Sequence, residues 1–398
     1  MAKTFEKVLT DAQLGLYEET WEIDDRALPG YDGPPWSITK FTLCGGKQHG
    51  VDMVELDNGE MTISVVPTRG MNVLEASCDD AELGFDSPVR EVVHPAYVNN
   101  MARGGLGWLE GFSELVCRCG LEYNGVPGQD AIIDNTGAEA IVPLTLHGTI
   151  SNTPASRVWV TVETSSPYRL SVWGDVYDTR MFGPSYMLRT QISTVPGATE
   201  FTVSDEARNI GGQTAELELL YHCNFGPPLL GKGSRMVAPV KKLSAVNAAA
   251  LAMVGKWDTY AAPKAGFAEE CYFMTLHGDR RGKSAVALVN PEADLAASIR
   301  FSVKELPYLT LWKHTGAVAD GYVTGLEPGT DLPNDRGFER EKGRVVRLPA
   351  GKSHRAALTI GLVKGKTKVK ALQSEIGALA KGKKSEMCAQ VDPDLSSH

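Results

Sequence analysis

The run Glu216-Leu217-Glu218-Leu219-Leu220-Tyr221-His222-Cys223-Asn224-Phe225-Gly226 decides how this chain folds, because its residues alternate. Successive side chains of a strand point to opposite faces. Glu216, Glu218, His222 and Asn224 therefore share one face and Leu217, Leu219, Tyr221, Cys223 and Phe225 the other, with Leu220 the one apolar residue on the polar side. A strand with an apolar face belongs to a sheet packed on a core. Its other face presents His222 to solvated, acid-lined surroundings, where an imidazole titrates near neutral pH and can give or take a proton.

The same kind of segment recurs along the chain. Arg157 to Glu163, Leu170 to Tyr177, Glu200 to Ala207, Ser284 to Val289, Ala297 to Val303 and Leu309 to Lys313 are rich in β-branched or aromatic residues, with Gly, Pro, Asn and Asp in the gaps. Many short strands with few helical patterns predict an all-β chain folded as a large β-sandwich with few short helices. The 41 glycines and 22 prolines suit its turns. Only Val369 to Leu379 and parts of Phe5 to Glu19 read as helix, and the polar chain from Lys381 onward reads as frayed. Residues 1–40 are expected as an extension packing on the sandwich, 41–365 as the sandwich, and 366–398 as a helix and polar tail.

Composition narrows the function. The 398 residues hold ample apolar material for one large core, and a net charge of −9 offers no basic stripe for nucleic acid. No apolar run is long enough to span a membrane, and no signal segment follows Met1, so a soluble cytoplasmic protein is expected. Seven scattered cysteines form no disulfide framework, and Cys117-Arg118-Cys119 lacks the spacing and the second pair of a zinc knuckle. Neither a dinucleotide fingerprint nor a phosphate loop is present, so no cofactor and no metal are expected. A small polar ligand suits this chain best; its oligomeric state is open.

Four motifs in chain order carry a resemblance: Val66-Pro67-Thr68-Arg69-Gly70-Met71, Leu146-His147-Gly148, Tyr221-His222-Cys223-Asn224-Phe225 and Gly325-Leu326-Glu327-Pro328-Gly329-Thr330. Together they resemble the galactose mutarotase (aldose 1-epimerase) superfamily, and more closely its divergent DUF4432 branch, over roughly Phe41 to Val363. The resemblance implies a β-supersandwich whose broad concave sheet holds a monosaccharide. It implies that His222 is the general acid on the sugar ring oxygen and Glu327 the general base on the anomeric hydroxyl. It also implies that His147 bonds the sugar near its reacting end and that Arg69 reaches sugar hydroxyls. The family aspartate for distal hydroxyls has no clean counterpart; Glu269 or Glu270, ahead of Cys271-Tyr272-Phe273, is expected in its place, with Glu270 preferred.

Elementary chemistry supports the same pairing. Mutarotation needs the anomeric O–H deprotonated while the ring oxygen is protonated, and each positioned proton-transfer group is worth about 10² to 10⁴ in rate. The run Pro328-Gly329-Thr330 places Glu327 on a loop. Thr145, His147 and Thr149 alternate with apolar residues, which puts His147 on the polar face of a strand. Trp108, in the glycine-rich run Gly104 to Phe112, is expected as a wall on which a sugar ring stacks. Asn224, Lys313 and His314 are expected to line the site, although alternation puts Lys313 opposite Trp312 and His314. His49, His94, His277, His354 and His398 are expected to be structural or exposed. Two other readings compete with an aldose 1-epimerase: a lyase or isomerase in which His147, His222 and a carboxylate hold a metal, and a carbohydrate-binding protein without turnover.

Overall fold

The computed structural model of the protein describes residues 4–79 and 81–397. Among these residues the strands form a ten-stranded sheet, a fourteen-stranded sheet and a separate two-stranded ribbon, Gly128–Ile133 with Glu139–Leu144. The two large sheets face each other, and their facing side chains form the core. Leu217, Leu219, Tyr221, Cys223 and Phe225 all enter it, as alternation requires. A buried polar cluster inside the sandwich is closely paired: Asp205 accepts from Arg118 Nε at 2.5 Å, from the Tyr221 hydroxyl at 2.9 Å and from Thr190 at 2.7 Å.

The strands read from the sequence lie where alternation places them, each within two residues; the opening run forms the strand Ala215–Phe225. In the larger sheet the order Glu270–Leu276, Tyr308–His314, Val323–Gly329, Ala215–Phe225, Val116–Leu121 brings distant motifs side by side, all antiparallel. Consecutive segments join the two sheets at both edges. Leu16–Tyr17 ends the ten-stranded sheet and Trp21–Asp24 ends the larger one, while Arg235–Val237 and Val240–Ala245 cross over at the opposite side.

Both termini depart from the sequence expectation. Phe5 to Glu19 contains no helix: Thr4–Asp11 is a strand paired with Arg157–Glu163, because an available sheet partner outweighs local helix propensity. Residue 40 falls inside the strand Ser37–Thr42, so the first forty residues supply strands to both sheets and form no separate extension. At the other end, the helix Lys366–Ala380 sets Val369, Leu372 and Ile376 on one stripe against the outer face of the ten-stranded sheet. The segment beyond it is docked. Leu395 is buried with Phe273 and Leu332, Asp392 pairs with Lys242, and Ser396 bonds the carbonyl of Val246 at 2.9 Å. No helix among the described residues is long and apolar enough to cross a membrane.

Candidate active site

The second face of the larger sheet, turned away from the core, carries the site. Strand pairing sets Thr310 opposite Glu327 in one row, and Trp312 opposite Gly325 opposite Asn224 in the next. His222 pairs with Cys117 on the far side. Glu327 is therefore a strand residue, not a loop residue; Pro328 lies one position from the end of Val323–Gly329, where a missing N–H costs the ladder little. Gly325 leaves the room between them that the Glu327 carboxyl occupies. A β-carbon there would overlap Glu327 Oε1 and stand 3.0 Å from His222 Cε1.

This face is roofed, which alternation cannot reveal. His222 is only 5% exposed and Glu327 only 2%. Gly107–Gly111 forms a short turn that lays Trp108 and Phe112 over the sheet, and Leu220, the apolar residue on the polar face, packs with them. The Phe112 and Trp312 rings lie 5.1 and 5.4 Å from the His222 ring, Trp108 lies 4.7 Å from His147, and His314 stacks on Trp312. His147 lies in a turn after the ribbon rather than on a strand. Its backbone is left-handed at φ 59°, held by Gly125 and Gly120 at 2.9 and 3.0 Å. Gly148 follows because a β-carbon there would meet the carbonyls of Tyr123 and Gly120.

Hydrogen bonds assign the tautomers. Asn224 spends its amide N–H groups on the carbonyls of Glu114 and His222, so its oxygen accepts from His222 Nδ1 at 2.6 Å. His147 Nδ1 donates to the Asn124 carbonyl at 2.7 Å. Each ring thus carries its proton on Nδ1 and leaves Nε2 bare. His222 Nε2 touches Glu327 Oε1 at 3.2 Å, yet Glu327 Oε1 makes no aligned hydrogen bond. Burial pushes His222 down to about 3, helped by His147, and drives Glu327 well above the usual carboxylate range, helped by Glu269. Burial also lowers His147 to about 4. The expected neutral titration of His222 is thereby corrected: in the resting pair the proton belongs to Glu327 and the imidazole is neutral. Among the described residues no group of three His, Cys, Asp or Glu side chains is arranged to hold a metal ion.

A neutral imidazole and a protonated carboxyl in contact, roofed by aromatic rings, can exchange one proton with a ligand placed between them. A model of the family described as a domain of unknown function, DUF4432, matches residues 48–362. The chain belongs to that family. A solved structure from Klebsiella pneumoniae subsp. pneumoniae MGH 78578, provisionally named an aldose 1-epimerase, is 36% identical, with 97% of this chain and 98% of that one covered and a TM-score of 0.91. A galactose mutarotase-like protein from Clostridium acetobutylicum shares the fold at 12% identity, covering 87% and 99% of the two chains, with a TM-score of 0.56. The galactose 1-epimerase from Lactobacillus acidophilus NCFM does so at 12% identity and the same coverage, with a TM-score of 0.51. Among curated proteins none matches this chain. This DUF4432 chain thus has the galactose mutarotase-like sandwich fold.

Not every expected residue reaches the basin. Arg69 is fully buried and bonds Glu114 at 2.5 Å, Asn152 and the carbonyl of Val93 at 2.9 Å each, and the carbonyl of Gly111 at 2.8 Å. Its donors are turned inward, so it anchors the turn that carries Trp108 and Phe112 instead of reaching a ligand. Lys313 and Glu270 face each other across their strands on the underside of the sheet, paired at 2.9 Å. Glu269, one residue earlier, is the acid on the site's side; it accepts from Trp312 Nε1 at 2.8 Å. Of the other histidines, His94 caps the turn at Pro95–Tyr97 and His277 bonds the carbonyl of Lys384, while His398 lies outside the described residues. Sequence reasoning missed Gly325 and Asn124. A glycine inside a strand two residues before the candidate base was the available signal for the first.

Proposed function

We propose that this protein is an aldose 1-epimerase-like isomerase that interconverts the anomers of a monosaccharide through His222 and Glu327. The observation that carries the reading is the 3.2 Å contact of His222 Nε2 with Glu327 Oε1 beneath the aromatic roof, with no aligned bond between them. As a cyclic sugar enters between the two, the Glu327 proton passes to His222 Nε2 before their contact is lost. The Glu327 carboxylate then takes the proton of the anomeric hydroxyl as the bond from C1 to the ring oxygen breaks, while the imidazolium protonates that oxygen. The aldehyde rotates about C1–C2, and reclosure reverses both transfers. With the open-chain sugar bound, Glu327 holds the proton and His222 is neutral, the same ionisation state as the resting pair. Trp312, partly exposed, supports the reading by offering a flat apolar surface to a sugar ring, and bare Nε2 of His147 accepts from a hydroxyl.

Saturation transfer between anomers, measured by NMR across a panel of aldoses, uronates and deoxysugars, tests this reading. The protein should accelerate exchange for at least one member, and Glu327→Gln should slow it at least about 10²-fold with affinity nearly intact. No acceleration for any sugar would overturn the isomerase reading in favour of binding alone. Unchanged exchange in the variant would remove Glu327 as base.

A further inference from the structure

Behind the His222–Glu327 row lies a second buried polar row that the reaction does not touch. Glu218 precedes His222 by four residues on the same strand, and Asp331 follows Glu327 by four, just past the end of its strand. Asn124 joins them. Its N–H donates to Glu218 Oε2 at 3.1 Å, its side-chain Nδ2 donates to Asp331 Oδ1 at 2.8 Å, and its carbonyl accepts from His147 Nδ1 at 2.7 Å. Asn124, Glu218 and Asp331 are all at most 1% exposed. Two atoms of this group lack any partner among the described residues: Asn124 Oδ1 and Asp331 Oδ2. Orphaned buried acceptors are costly, and a pair of them beside an existing amide–carboxyl bond has a simple remedy, a proton on the carboxyl.

We infer that Asp331 is held as a neutral carboxylic acid whose O–H closes a second bond to Asn124 Oδ1, and that Asp331, Asn124 and Glu218 together position His147 with Nδ1 protonated and Nε2 bare for the substrate. The role at the substrate rests on the isomerase reading; the positioning does not. Charge favours this division of labour. Arg336 lies 3.5 Å from Glu218 Oε1, whereas among the described residues no cation forms an ion pair with Asp331. Asp331 faces Glu218 from the His222 strand, Glu339 and Arg344 from beside the helix Arg336–Glu341, and Tyr123 and Tyr308. Burial, with Glu218 and Glu339 beside it, raises it well above the ordinary range, and burial raises Glu218 itself to about 8 in spite of Arg336. An outer carboxylate that fixes a ring through an intermediate carbonyl acts as a positioning residue, and losing such support costs about 10- to 100-fold in metal sites of comparable build.

Long-range proton–nitrogen correlation on histidine-labelled protein reads the His147 tautomer, with His147→Gln for assignment. Wild type should show one Nδ1–H tautomer. Asp331→Asn, whose amide can donate where the acid did, should keep it and keep kcat/KM within about threefold, whereas Asp331→Leu should mix the tautomers and lower kcat/KM at least about tenfold. The infrared difference between wild type and Asp331→Asn at neutral pH should contain a carboxylic-acid stretch. A wild-type Nε2–H tautomer, an Asp331→Leu protein with the tautomer intact, or a missing acid stretch overturns the inference. If Asp331→Leu does not fold, the wild-type tautomer, the Asp331→Asn tautomer and the acid stretch decide it alone. The spectra need no turnover, so an inactive protein with the expected tautomer counts against the isomerase reading and leaves this one standing.

Discussion

Two faces of one sheet, a single residue apart, handle charge in opposite ways. On the underside Lys313 donates to Glu270 and to the carbonyl of Thr259 at 3.1 Å, and Tyr272 adds a further bond to Glu270 at 3.1 Å. On the upper side Glu327 Oε1, Trp108 Nε1 and Thr310 Oγ1 are buried without hydrogen-bond partners. The Lys313–Glu270 group below is closed by its own partners, whereas these three atoms above are left open. The contrast also sorts the candidate residues better than chemical type does. Arg69 and Lys313 are cations suited to a sugar, but their hydrogen bonds are spent inside the protein.

Breaking the lower pair should have the largest effect. Lys313→Met leaves Glu270 buried without its cation, and denaturant unfolding should show a loss of about 3–5 kcal/mol with ligand affinity retained. The reverse outcome, full stability with lost affinity, would return Lys313 to the basin. Gly325→Ala acts on the upper face: its methyl displaces the Glu327 carboxyl, so turnover should fall about 10- to 100-fold, beyond any change in Tm. A normal rate would mean that the resting contact is not the working geometry.

Protonation sharpens the contrast further. Because Glu327 holds its proton above the unfolded value of 4.5, it weakens the fold progressively as pH rises past that value. Glu327→Gln removes the penalty, so its stability advantage over wild type should grow as pH rises from about 5 to about 8. His147 and His222 act in the other direction: held neutral when folded, they weaken the protein as pH falls below 6.5 toward about 4 and about 3 respectively. A gap between the variant and wild type that does not change with pH would show that Glu327 is ionised at rest. The smallest effect is expected at the rim. Glu269→Gln keeps a partner for Trp312 Nε1 but replaces a charged acceptor, and KM should rise by roughly fivefold, about 1 kcal/mol, with kcat unchanged. An unaltered KM would place the sugar away from Glu269.

Much of this was legible in the residues. Alternation in Ala215–Phe225 gave the right face to every core side chain, and strand signals located the sheets, because the period of two is a local property. His222 and Glu327 were legible through their motifs. Their burial was not, because the roof comes from Trp108 and Phe112 more than a hundred residues earlier. Parity separated Lys313 from Trp312 and His314, and that reading was correct; including Lys313 in the site went against it. Between Glu269 and Glu270, only the strand register decides.

The way the chain passes between its sheets has a consequence for how molecules meet one another. The outermost strands are brief, Leu16–Tyr17, Trp21–Asp24, Arg235–Val237 and Glu386–Met387, and all four sit where the chain crosses over or docks back. Two wide sheets would otherwise expose long rows of unpaired amides, the template on which strands of other molecules add. Here each margin of the two large sheets ends in a brief strand, which shortens the row of amides that a neighbouring molecule could extend.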